Sequence, residues 1–114
     1  MTALLALTNL PDEESARALA AALVQQRLAA CVNVMAPCRS VYRWRDAIEE
    51  AQETTLLIKT TAARYDALAA AIRAAHPYEL PEIVAVPISH GLPAYLDWVV
   101  AETDPTSLPL PSDQ

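Results

Sequence analysis

A ferredoxin-like α+β sandwich with the order βαββαβ is the fold class this sequence predicts, and three observations predict it. Short apolar runs alternate with segments whose apolar residues recur at helical spacing. Two extended runs, joined by a tight turn, stand between the two main helical segments, so a hairpin occupies the middle of the chain. Finally, 114 residues with 54% hydrophobic content suffice for one core and are too few for two.

The elements follow in order. Ala3 to Leu7 reads as a short buried strand that breaks at Thr8-Asn9-Leu10-Pro11. Asp12 is placed to N-cap a helix whose apolar stripe is Ala16, Leu19, Ala20 and Leu23, with Leu28 and Ala29 closing it. From Cys31 to Trp44 the pattern is extended, with an interruption at Ala36-Pro37. A second extended run goes from about Ile48 to Thr60, its buried part being Leu56-Leu57-Ile58, and Arg45-Asp46-Ala47 makes the turn between the two. Thr61 is expected to cap a second helix with Tyr65, Leu68, Ile72 and Ala75 on one face, stopping before Pro77. A strand near Ile83 to Val86 comes next, then a short helix after Gly91-Leu92-Pro93 with Tyr95, Trp98 and Val99 on one face. Residues 1–104 form the domain. The tail, 105–114, holds Pro105, Pro109 and Pro111 and reads as an arm or disordered segment rather than a packed element.

Composition bounds the function. Phe is absent and aromatics make up 5%, so the core is built from Ala, Leu, Val and Ile, and self-association is an obvious way to bury more surface. The net charge of -6 argues against nucleic acid, whose binders carry a basic face, and would attract divalent cations. Met1 to Leu7 has no basic leader, and its apolar run is too short for a membrane span, which points to the cytoplasm and to reduced cysteines. Cys31 and Cys38, on one extended segment, would lie roughly 20 Å apart, too far for a disulfide.

Two places concentrate side chains useful to a site. The joint His76-Pro77-Tyr78-Glu79, continuing through Pro81-Glu82-Ile83, links helix to strand and gathers an imidazole, a phenol and carboxylates between prolines. It could bind a metal, a small ligand or a partner subunit, or serve only as a helix stop with Tyr78 closing the core. The central hairpin has arms roughly twice the usual strand length of about 5 or 6 residues, so its far half projects. There Tyr42 and Trp44 point to one side and Arg43 and Arg45 to the other, and such aromatics need cover. A local alternative pairs Arg43 and Arg45 with Glu49 and Glu50. For catalysis the pattern offers little: Gly91 is the sole glycine, so a glycine-rich phosphate loop is ruled out, and histidines at i and i+4 are absent. The chain is therefore not expected to be an enzyme.

Ala29-Ala30-Cys31-Val32-Asn33, Ser40-Val41-Tyr42-Arg43-Trp44, Ile48-Glu49-Glu50, Ile58-Lys59-Thr60, His76-Pro77-Tyr78-Glu79, Pro81-Glu82-Ile83 and Tyr95-Leu96-Asp97-Trp98 occur together and in order. Over Leu4 to Glu102 the chain thereby resembles the CutA divalent-cation tolerance proteins. The resemblance implies a tight homotrimer similar in architecture to the PII signalling proteins, with sheets packed inward and hairpins reaching to neighbours. It also implies tolerance of copper and other divalent metal ions. In such a trimer Tyr42 and Trp44 become interface anchors, and Cys31 of one subunit could meet His76 and Glu79 of an adjacent joint, giving thiolate, imidazole and carboxylate ligands to copper or another divalent ion. Alternatives are a buried role for Cys31 and a trimer that binds a small effector or partner protein, or serves as a scaffold, with metal tolerance indirect. The sequence departs from the family pattern at Asp46, where the hairpin turn usually has glycine, and at Cys38, where glycine is common after Pro37. A turn through Asp46 is expected to be slightly strained.

Overall fold

The computed structural model describes residues 2–106. Its first strand, β1 (Ala3–Leu10), runs past the expected end at Leu7. Thr8 is fully buried in it, and antiparallel pairing continues to Leu10 opposite Thr54. A β-branched Thr suits a pleated surface, so its polarity did not end the strand. Asp12 then caps α1 (Glu13–Gln25), its Oδ1 accepting the Ser15 amide at 2.7 Å, while Glu13 and Glu14 sit at the positive end of the helix dipole. The helix ends earlier than expected because Arg27 takes φ 58, a left-handed exit; Leu28 and Ala29 are still buried, but outside the helix.

The predicted long strand is two, β2 (Cys31–Val34) and β3 (Cys38–Trp44), both laid antiparallel along one fifteen-residue strand, β4 (Ala47–Thr61). The registers Val34 to Leu56 and Cys38 to Glu53 leave one more residue on the β2–β3 side than on β4, a bulge at the expected interruption around Pro37. Beyond β4, a 3₁₀ turn (Ala62–Arg64) leads into α2 (Tyr65–Ala75). Thr61 precedes the turn but does not cap it: still paired with Ala3, it carries its hydroxyl into the body, where that oxygen has no partner among the described residues. Edge strand β5 (Val84–Pro87) and α3 (Pro93–Glu102) complete the order.

The sheet order is β2-β4-β1-β5, with β3 prolonging β2 along β4, and every pairing is antiparallel. This is the expected ferredoxin-like α+β arrangement. One sheet face supplies Ala6, Leu10, Leu56 and Ile58 to a core completed by Leu19 and Leu23 of α1 and Leu68 and Ile72 of α2. Each such Leu or Ile contributes about 1.5–3 kcal/mol on burial. By register, the opposite face carries Leu5, Leu7, Leu57, Lys59 and Cys31, and Val84 and Val86 there are 47% and 52% exposed. Helix α3 buries Val99, and Thr103 just past its end is buried too, but Tyr95 and Trp98, expected on one face with Val99, are 39% and 42% exposed and pack on each other at 5.5 Å. Of the tail, only Pro105 and Thr106 are described, where Asp104 accepts the Thr106 amide at 2.9 Å; the expectation for 107–114 lies outside the described residues.

Candidate functional site

The joint after α2 is held by its histidine. Pro77 disfavours a helical residue before it, and His76 accordingly leaves the helix with φ -80 and ψ 135. Its ring turns inward and is buried. The Tyr78 amide, which can only donate, lies 3.1 Å from Nδ1, so Nε2 carries the proton and donates to the Asn9 carbonyl at 2.6 Å. The ring also packs against Tyr78 at 4.7 Å. Both nitrogens of His76 are thus engaged within the chain.

Tyr78 passes this rigidity on. Its hydroxyl donates to Glu53 Oε2 at 3.0 Å; burial first, then the hydrogen bond and charge of Glu53, push the phenol up to about 12. Glu53 itself is only 8% exposed. Nearby, Glu82 accepts the Asn9 side-chain amide at 2.9 Å, Asn9 accepts the Thr55 hydroxyl at 2.6 Å, and Cys38 Sγ lies 3.8 Å from that hydroxyl. Cys38 is exposed and Cys31 half-buried, and neither is bridged.

Register places Tyr42, Trp44 and Glu53 on one side of the hairpin, continuous with the uncovered face of the main sheet. Between this side and the joint lies a cleft of about 720 Å³ whose walls include Tyr42, Trp44, Glu53, Tyr78, Glu79 and Glu82. At the tip, Arg45 and Asp46 both take positive φ, 48 and 67, the signature of a two-residue hairpin turn matched to strand twist. Arg45 then lies 5.2 Å from the Trp44 ring centroid and bonds Glu79 at 3.0 Å. The alternative pairing of Arg43 and Arg45 with Glu49 and Glu50 does not form; Arg39 takes Glu50 at 3.6 Å instead.

Cys31 stands elsewhere. It opens β2 opposite Lys59, whose Nζ is 4.0 Å from Sγ and also donates to Asn33. The Tyr95 phenol, pushed up by burial and then by Cys31, lies beside it. The strand residue next to His76 is Asn9, opposite Thr55, whereas Cys31 faces Lys59 from the other flank of β4. Four residues along β4 are about 13 Å, so Cys31 does not meet the joint of its own chain. Among the described residues, no three His, Cys, Asp or Glu side chains of the chain converge to hold a metal ion. The expected set of Cys31, His76 and Glu79 is therefore not assembled within one subunit. Glu53 drew no notice in the sequence, and Asn9 and Lys59 stood there only within a strand break and a motif; the strand pairing brings all three to these places.

The family description "CutA1 divalent ion tolerance protein" matches residues 4–102. The chain belongs to the CutA1 family. The divalent-cation tolerance protein CutA of Thermus thermophilus is 48% identical over 97 residues, covering 85% of this chain and 94% of that one. Mouse Protein CutA is 41% identical over 102 residues, 90% of this chain but 58% of its own length. A solved structure of the Thermus thermophilus divalent cation tolerance protein superposes with a TM-score of 0.88 at 46% identity, covering 90% of this chain and 99% of that one. CutA1 structures thus share the fold found here. No helix among the described residues is long and apolar enough to cross a membrane.

Proposed function

We propose that this CutA1 chain is a cytoplasmic homotrimer that confers tolerance of divalent cations by binding soft ions, copper among them, at subunit boundaries, without enzymatic activity. Family membership supports divalent-cation tolerance as the role. The observation that carries direct binding is Cys31: a half-buried thiol on a sheet face with Val84 and Val86 exposed, where a second subunit can bring ligands its own chain does not. Thiolate suits copper and zinc, and Glu79 of an adjacent subunit supplies oxygen. His76 joins this set through Nδ1 once it releases the Tyr78 amide, so it is the most costly of the three ligands to recruit. Tyr42 and Trp44 serve as interface anchors, with Tyr42 43% exposed in the isolated chain.

Light scattering should give three times the chain mass. Calorimetric titration with Cu(II) and Zn(II) should show binding that Cys31→Ser weakens at least tenfold. A monomer, or unchanged copper affinity in Cys31→Ser, would remove direct binding at the boundary. A second reading, a PII-like trimer that binds a small effector, is favoured by the cleft beneath the hairpin, whose walls share Glu79, Tyr42 and Trp44 with the first.

A further inference from the structure

Lys59 is the chain's only lysine, the other seven basic residues being arginines, and it stands where a charge is unfavourable. It lies on the open face of the central strand β4, beyond Leu57, with Leu5 opposite on β1 and Cys31 opposite on β2. The residue is half-buried even in the isolated chain. An ion on such a face needs hydrogen bonds or a counter-charge. Lys59 has no carboxylate partner among the described residues: Nζ donates to Asn33 Oδ1 and lies 4.0 Å from Cys31 Sγ. A second subunit laid on this face removes remaining water, so the ammonium's need for an anion rises as the protein assembles.

We infer that Lys59 is the resident cation of the Cys31 site: in the ion-free assembly its ammonium holds the place, between the thiol and Glu79 of the adjacent subunit, that a metal ion takes over. The inference rests on the metal reading above and adds what regulates that site. Two properties suit a lysine to the role. Its ammonium is a compact point charge on a flexible four-carbon stem, and it already reaches Asn33, the position to which it withdraws. Coulomb repulsion scales with the product of the charges, so at one separation Lys59 opposes a dication twice as strongly as a monocation. The residue therefore sets the threshold for divalent ions and favours singly charged Cu(I) over Zn(II). No proton leaves Lys59 in the exchange; the thiol's proton passes to solvent as the ion coordinates.

The test titrates the assembled protein at about 0.15 M salt, which screens the net charge of the surface. Zn(II) binding is read by calorimetry, and Cu(I), kept reduced by ascorbate, by competition with a colorimetric chelator. Lys59→Met removes the charge and keeps an unbranched stem, whereas Lys59→Arg keeps the charge. Lys59→Met should tighten Zn(II) by about tenfold or more and Cu(I) by a smaller factor, so that the preference for Cu(I) falls. Lys59→Arg should leave that preference as it is. Arg39→Met, an equal loss of charge out on the hairpin, should change neither affinity. Lys59→Gln repeats the removal of charge should Lys59→Met assemble poorly. Zn(II) binding that Cys31→Ser weakens but Lys59→Met leaves unchanged, or equal tightening of both ions, overturns the inference while the metal reading stands. Binding of neither ion by parent and variant, or binding indifferent to Cys31→Ser in both, removes the metal reading and this inference with it.

Discussion

Replacing His76 by Ala measures how much of the joint depends on one ring. The change deletes the 2.6 Å bond to the Asn9 carbonyl and the 3.1 Å bond from the Tyr78 amide, together with the 4.7 Å packing on Tyr78. Two net hydrogen bonds contribute about 1 kcal/mol each, and an aromatic contact about 0.5–1.5 kcal/mol. The sum is about 3 kcal/mol, because a buried ring leaves two backbone groups short of partners. For a domain near this size, about 1 kcal/mol moves Tm by roughly 4–8 °C, so the variant should melt roughly 12–24 °C lower. Urea and thermal unfolding, compared at one protein concentration so that assembly does not confound the midpoints, give the number. A loss below about 1 kcal/mol would show that Pro77 and Pro81 shape the joint without the histidine, and would free its nitrogens for a ligand.

Four further outcomes follow from the geometry. Glu53→Gln should lower the Tyr78 titration from about 12 toward the ordinary phenol value without restoring it fully, since burial is the larger cause; absorbance titration of the phenolates reads this. With the folded pKa above an unfolded value near 10, Tyr78 contributes stability that is complete below pH 10 and lost as pH rises toward 12, so Tyr78→Phe should flatten the alkaline limb of the unfolding profile. Asp46→Gly relieves a left-handed residue with φ 67 and should stabilise the protein by about 0.5–1 kcal/mol in denaturant melts, less any added freedom of the unfolded chain. If the chain assembles as proposed, Trp44→Ala should raise the fraction of dissociated subunits in sedimentation at micromolar concentration; an unchanged distribution would mean that the hairpin aromatics do not anchor the assembly.

Periodicity and punctuation carried most of the architecture. The α2 stripe, its stop before Pro77 and the break at Pro37 were legible because proline acts locally, through its ring and missing amide. The end of α1 was not: Arg27 takes a positive φ that no glycine announces. Thr8 misled because its burial depends on α-helices packed above it. The joint was visible as a cluster of residue types, but the engagement of both His76 nitrogens requires Asn9 from the far end of β1. Glu53 carries no signal at all within the unbroken polar run Gln52-Glu53-Thr54-Thr55. Its burial is a product of Tyr78 folding down from another element.

The length of β4 also bears on the order in which the chain folds. Its outer half pairs with β3 across a two-residue turn, a contact available as soon as both arms exist, and such hairpins form within about 1–10 μs. The inner half has to wait. Ala3 meets Thr61, and Leu10 meets Thr54, only after α1, β2 and β3 have been threaded between them, so β1 remains without this partner while residues 11–53 are made. Non-local pairing of this kind slows folding and leaves apolar strands uncovered in the interval. The hairpin is then the seed on which the sheet is laid down, and changes at Arg45 and Asp46 should alter the rate of refolding more than the rate of unfolding.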